Sequence, residues 1–168
     1  MQSSIISLKI NSIEESDSDL AETVSEISKE YIYKFAFGAG ENEATDVFSD
    51  TITLPPSVNI DINLNGLLTN ALCEDLIFST IKTLIVHAAK ENTNNISVVS
   101  NAFDGWVAPF VAVEDGITLR PDGTMMIINP DAIGMDVLPA TPNILTITNL
   151  GAGTPVDFDF ILIGVRAT

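Results

Sequence analysis

The sequence predicts a mostly β chain: an antiparallel two-layer β-sandwich, jelly-roll-like, with at most one or two short helices. Apolar residues alternate with polar ones over many short stretches, and prolines and glycines fall between those stretches. Successive side chains of a strand point to opposite faces, so a period of two is typical of strands with one buried face. Two further stretches, 81–89 and 156–165, are apolar on both faces.

The alternating stretches predict individual strands. The clearest covers 58–65, where four aliphatic residues alternate with aspartate and asparagine. Weaker signals of the same kind occur at 6–10, 31–37, 52–54, 117–120 and 145–148. Pro121, Asp122 and Gly123 have the residue types of a tight turn, and with the strands beside them they predict a hairpin. The glycine-rich residues 149–154 link a strand at 144–148 to one at 156–165.

Two segments have helical spacing. Residues 20–31 carry apolar side chains spaced by four, three and four, as on one face of a short helix. In 67–76 three leucines recur every four residues, although Gly66 and Asn70 fit a loop equally well. The stretches that are apolar on both faces indicate strands covered on both sides, either between layers or against another subunit.

The chain divides by composition into two parts. Residues 1–34 form an acidic N-terminal segment, either an arm or extra strands of the same domain, and 35–168 form the sandwich domain. Eleven acidic residues lie between Glu14 and Asp50, with only Lys29 and Lys34 among them. A solvated surface is the simplest interpretation of such a charge run.

The charge also argues against several partners. The net charge is −16, and the seven cations are scattered singly, so double-stranded nucleic acid and anionic membrane surfaces are disfavoured. Cys73 is the single cysteine, which rules out an intramolecular disulfide and a thiolate metal cage. The first residues lack the pattern of a secretory signal, so we expect a protein made in a cytoplasm.

The sequence offers no catalytic constellation, and we predict neither an enzyme nor a cofactor. Asp61, Asn63, Asn65 and Gly66 match the first half of a calcium loop, but the twelfth position is leucine rather than the bidentate glutamate. A solvated strand face explains these residues better. His87 is the only histidine, and no orienting partner or nucleophile is visible for it.

A set of aromatic residues and this histidine forms the candidate interface. A lone tryptophan is a core residue at least as often as a contact residue, so this remains a hypothesis. The candidate interface residues are Phe103, Trp106, Phe110, His87, Phe158 and Phe160.

From about Phe35 onward the chain resembles a family of small tailed-bacteriophage virion proteins. The stretches that carry the resemblance, in order, are 37–44 (FGAGENEA), 48–51 (FSDT), 61–71 (DINLNGLLTNA), 78–82 (FSTIK), 92–95 (NTNN), 120–123 (RPDG), 129–132 (NPDA), 145–154 (LTITNLGAGT) and 160–164 (FILIG). The family usually has glycine where Cys73-Glu74 and Asp122 stand, and residues 1–34 match poorly.

The resemblance implies a location in the virion, after assembly in the cytoplasm of a bacterial host. The function we expect is capsid decoration or cement: a homo-oligomer, which we expect to be a trimer, that binds the major capsid protein or another virion protein on the outer shell. The alternative is a receptor-binding or carbohydrate-binding module of a tail or head fibre. Neither function calls for a metal.

Overall fold

The computed structural model describes residues 3–18, 21–66, 68–70, 72–139 and 141–167, and every regular element within them is a β-strand. The all-β fold class is confirmed. The strands are β1 (Ser4–Ser18), β2 (Ala21–Phe37), β3 (Glu43–Ala44), β4 (Asp46–Leu54), β5 (Asn59–Asn63), β6 (Leu68–Thr69), β7 (Asp75–Leu76), β8 (Phe78–Ala88), β9 (Ile96–Ser100), β10 (Gly116–Leu119), β11 (Thr124–Ile128), β12 (Met135–Asp136), β13 (Ile144–Asn149) and β14 (Val156–Arg166).

Two antiparallel sheets form the body of the molecule. The small sheet has the order β10-β9-β13-β5, and the large sheet has the order β11-β8-β14-β4, with β12 also paired to β8. The pairs are nested along the chain, because β4 pairs with β14, β5 with β13, β8 with β11, and β9 with β10. The outermost pair therefore joins the first and last strands of the body.

One hydrophobic core lies between the two sheets. The small sheet contributes Leu145 and Ile147, which alternate in β13 with half-buried threonines. The large sheet contributes Phe158, Phe160 and Leu162 at alternate positions of β14. Each such side chain stabilises the fold by roughly 1.5–3 kcal/mol relative to an exposed position. The predicted strands at 144–148 and 156–165 thus supply the centre of the core.

The helical interpretation of both segments is wrong, and for 67–76 the alternative, a loop, is the one that fits the described residues between β6 and β7. Residues 21–31 belong to β2, which pairs with β1 residue by residue, whereas residues 19 and 20 lie outside the described part. Thr23, Val24 and Ile27 are β-branched, which favours a strand. In the second segment β6 and β7 pair around a turn, where the Asn70 side chain accepts hydrogen bonds from two backbone amides; residues 67 and 71 are not described.

The predicted hairpin at 121–123 is also wrong, although the turn is present. The amide of Gly123 donates to the carbonyl of Arg120 at 2.8 Å, and Asp122 has a φ of 65°. The turn, however, carries the chain from β10 in the small sheet to β11 in the large sheet. Turn residues determine where the chain reverses, but they do not determine which strands pair.

Candidate functional site

The first two strands form a long ribbon, defined here as β1 paired with β2. Its register is unbroken over fifteen residue pairs, from Ser4 opposite Phe35 to Ser18 opposite Ala21. At about 3.4 Å per residue this ribbon is roughly 48 Å long.

Among the described residues there is no helix long and apolar enough to cross a membrane.

The register assigns the side chains of the ribbon to two faces. Residues directly opposite each other share a face, so Ile6, Leu8 and Ile10 lie beside Tyr33, Tyr31 and Lys29, with Ile27 further along; we call this the apolar face. The other face, the mixed face, places isoleucines and Val24 among lysines, glutamates and polar side chains. The alternation at 6–10 and 31–37 therefore describes one continuous surface.

The base of the ribbon is anchored on the body. Phe35 is buried with Ala44 and Ile163, and Ile6 and Tyr33 pack against the same cluster. The end of β2 pairs in parallel with β3, which fixes where the ribbon leaves the body. The contact covers one end of the outer face of the large sheet, where Ile163 lies in β14.

Beyond this base the ribbon projects into solvent. Every residue from 7 to 15 and from 24 to 32 is exposed. On the apolar face the exposed fractions are 43% for Leu8, 48% for Ile10, 53% for Ile27 and 48% for Tyr31. A two-stranded ribbon without a covering layer is marginally stable in water, and contiguous exposed apolar surface marks interaction sites. The ribbon is therefore a candidate surface for binding another protein.

The charge of the ribbon changes along its length. The base half, residues 3–12 and 28–37, has three lysines, Lys9, Lys29 and Lys34, against the single acid Glu30. The outer half, residues 13–27, has six acidic residues and no cation. The part of the ribbon nearest the body is thus apolar and positively charged, although the whole chain is strongly acidic.

The outer face of the large sheet carries a second apolar surface. Met126, Ile85 and Ile161 are neighbours across β11, β8 and β14, and we call them the apolar row. Ile85 and Ile161 are half-buried and Met126 is 38% exposed. The next row of the sheet contains His87 and Asp159 as register partners.

A buried lysine supports the loop beside the base of the ribbon. Lys82 has no exposed surface, and its Nζ donates to the carbonyls of Asp131 and, at 2.8 Å, Ala132. Burial lowers the pKa of the Lys82 ammonium, and the carboxylates of Asp131 and Asp136 partly offset that effect. The loop is in turn linked to the ribbon through Asn42, whose amide donates to the carbonyl of Pro130 and whose carbonyl accepts from the amide of Ala36 in β2.

Asp131 orders the same loop from the solvent side. Its Oδ1 accepts hydrogen bonds from the amides of Ile133 and Gly134, each at 2.8 Å. The pKa of the Asp131 carboxyl is held below its ordinary value, chiefly by the hydrogen bond from Gly134, with smaller contributions from Ile133 and from the positive charge of Lys82.

The six candidate interface residues lie in different environments. Trp106 is 1% exposed and its Nε1 donates to the carbonyl of Asp136 at 2.7 Å, while Phe158 and Phe160 lie in the core, so these three offer a partner no surface. Phe103 is 93% exposed. Phe110 is half-buried against the core, and His87 lies on the outer face beside the apolar row. The interface prediction therefore rests on these last three.

The residues with calcium-loop spacing bind other parts of the chain. Asp61 accepts a hydrogen bond from Thr146 at 2.6 Å, across the pair of strands β5 and β13. Asn65 donates to the carbonyls of Leu138 and Thr141. Within the described residues no three His, Cys, Asp or Glu side chains are grouped so that they could hold a metal ion.

Sequence reasoning missed the residues that make the ribbon a candidate site, namely Leu8, Ile10, Lys29 and Tyr31. Their alternation predicts strands, but no local signal distinguishes an exposed apolar face from a buried one. Comparison with protein-family models, curated proteins and solved structures found no match to this chain.

Proposed function

We propose that the protein is a non-enzymatic structural component of a tailed-phage virion: a capsid decoration or cement protein that binds the outer shell as a homo-oligomer. The observation that carries the proposal is the projecting ribbon. Its exposed apolar face requires a covering partner, and an assembly protein meets its partners at high local concentration on a particle. A trimer fits the local threefold positions of an icosahedral shell.

The connectivity of the body supports the same proposal. We infer that the nested pairing of β4 with β14, β5 with β13, β8 with β11 and β9 with β10 is that of a jelly roll. Jelly rolls are common in viral capsid proteins and in lectins. A fold hosts many functions. The jelly roll therefore supports a role in the virion but does not distinguish a capsid protein from a fibre protein.

Backbone geometry at two positions adds support for the family resemblance. Cys73 has a φ of 61° and Asp122 a φ of 65°, both in the left-handed region that favours glycine. These are the places where the resembled family usually has glycine.

A reconstruction of the phage particle tests this function. We expect density for the sandwich on the outer surface of the capsid, at sites of threefold or quasi-threefold symmetry. Density in the tail, or absence of the protein from purified particles, would contradict the decoration role.

A second candidate is a carbohydrate-binding fibre module, and the exposure of Phe103 favours it. An aromatic ring at 93% exposure on the loop between β9 and β10 is available to stack on a sugar. Trp106 cannot do so because it is buried. A glycan array with the wild type and Phe103→Ala separates the candidates: binding that Phe103→Ala abolishes supports the fibre module, and the cement function predicts no binding by either protein.

A further inference from the structure

The ribbon and the large sheet touch at the base of the ribbon. Beyond that contact, both the apolar face of the ribbon and the outer face of the sheet continue as apolar surface. At the base, Ile6, Tyr33 and Phe35 of the apolar face pack beside Ile163, which lies in one row of the outer face of the large sheet. The next pair on the ribbon is Leu8 with Tyr31, and the next row on the sheet is the apolar row. Leu8 and Tyr31 are exposed, and the apolar row is exposed at Met126 and half-buried at its two isoleucines.

The charges continue in the same order. After Leu8 and Tyr31 the apolar face presents Lys29, opposite Ile10. After the apolar row the sheet presents Asp159, the register partner of His87. Two consecutive steps along each surface therefore match, first apolar against apolar and then a cation against a carboxylate.

We propose that the ribbon of one copy binds the outer face of the large sheet of a second copy. Leu8 and Tyr31 cover the apolar row, and Lys29 lies near Asp159. The inference rests on the homo-oligomer in the proposed function, and it names the two surfaces that join. It requires no location on a capsid.

Charge favours a second copy of this chain as the occupant. Residues 38–168 contain sixteen acidic residues and four cations, since the whole chain has 23 and seven and the first 37 residues have seven and three. Of those four cations, Lys82 is buried and Arg166 is paired with Asp46 and Glu74. Two bodies repel each other, whereas the lysine-bearing base half of a ribbon is attracted to a body.

The ribbon does not reach the apolar row of its own chain. Its fifteen pairs have no register shift that would bend it back, and Leu8 and Tyr31 are exposed. A contact between a ribbon and a sheet joins two different surfaces. Such contacts form a closed assembly when two copies exchange ribbons in a dimer or when each ribbon binds the next copy around a ring. A trimer is such a ring, and it is the form given under the proposed function.

Disulfide trapping of the full chain tests the contact. Cys73 is first replaced by Asn, which tolerates the positive φ at this position, so that no other thiol remains. Tyr31→Cys and Met126→Cys are then combined, and mild oxidation is followed by a non-reducing gel. We expect covalent multimers, several-fold more than from the matched control Ile32→Cys with Met126→Cys, whose ribbon cysteine lies on the mixed face.

The other gel outcomes overturn the contact. A cross-link within a single chain would show that the ribbon folds onto its own body. Equal multimer yield from the control pair would show that any ribbon surface collides with the sheet. Absence of a cross-link in a preparation that is oligomeric by light scattering would refute the contact but leave the homo-oligomer standing, whereas a monomer by light scattering would refute both.

A charge exchange gives a second test that does not depend on cysteine variants folding. Lys29→Glu and Asp159→Lys are each expected to weaken the oligomer by about tenfold, as measured by the concentration dependence of light scattering. The double variant restores the pair and should recover most of the loss. Loss that is additive in the double variant would contradict the pairing of Lys29 with Asp159.

Discussion

Strand β13 of the body and strand β1 of the ribbon have the same sequence pattern but lie in opposite environments. In β13 the alternate residues Leu145 and Ile147 are fully buried, because the large sheet lies opposite them. In β1 the alternate residues Leu8 and Ile10 are about half exposed. Alternation thus specifies a strand, and only tertiary or quaternary contacts decide whether its apolar face is covered. The body covers the apolar face of β13, whereas the apolar face of the ribbon is exposed in the single chain.

The same substitution, leucine to threonine, in the two strands tests whether the apolar face of β13 is covered and that of β1 is not. Leu145→Thr opens a cavity and buries a hydroxyl, so it should lower the free energy of unfolding by about 3–5 kcal/mol. Leu8→Thr should change it by less than about 0.5 kcal/mol, because half of that side chain is already in water. Urea unfolding of dilute protein measures both. A large effect of Leu8→Thr would show that the ribbon is covered within the single chain.

A substitution of Lys82 tests how strongly the loop at the junction between body and ribbon is held. Lys82→Met keeps an unbranched side chain, one heavy atom shorter, but removes the donor from the carbonyls of Asp131 and Ala132, so we expect a loss of about 1–3 kcal/mol. Lys90→Met, at an exposed position, is the control and should be nearly neutral. Urea unfolding compares the two variants. A more stable Lys82→Met protein would mean that burying the ammonium costs more than its hydrogen bonds return.

The turn between the two sheets of the body depends on an unusual backbone conformation. Asp122 has a φ of 65°, so Asp122→Val should lower stability by about 1–2 kcal/mol. Asp122→Gly should stay within about 0.5 kcal/mol of the wild type, because the relief of strain is offset by a more flexible unfolded chain. Thermal unfolding of the two variants distinguishes them. Equal effects would show that φ does not limit the residue here.

The smallest expected effect concerns the loop that supports the ribbon base. The pKa of Asp131 is lower in the folded than in the unfolded chain, so its carboxylate stabilises the fold above its ordinary range. That contribution is lost as the pH falls through the lowered value. We expect the stability difference between the wild type and Asp131→Asn to shrink below about pH 4. Urea midpoints at neutral and acidic pH measure it, and a constant difference would argue against this role.

The sequence predicts the fold class and the position of most body strands, because alternation survives wherever one face is buried. It misleads at 20–31, where a helical spacing runs into a strand whose residues 24–31 are exposed on both faces, so no burial pattern there contradicts the helix. It misleads again at Pro121, Asp122 and Gly123, where a genuine turn joins strands of different sheets. Pairing between distant strands, and the exposure of Leu8 and Tyr31, are set by contacts that no local pattern records.

The most direct test of the account is the position of the ribbon in an assembled particle. A reconstruction of the phage at a resolution that traces the backbone should show the sandwich on the capsid exterior, with the ribbon of each copy lying across the outer face of the large sheet of its neighbour. A ribbon that extends free into solvent, or a protein missing from the capsid surface, would contradict it.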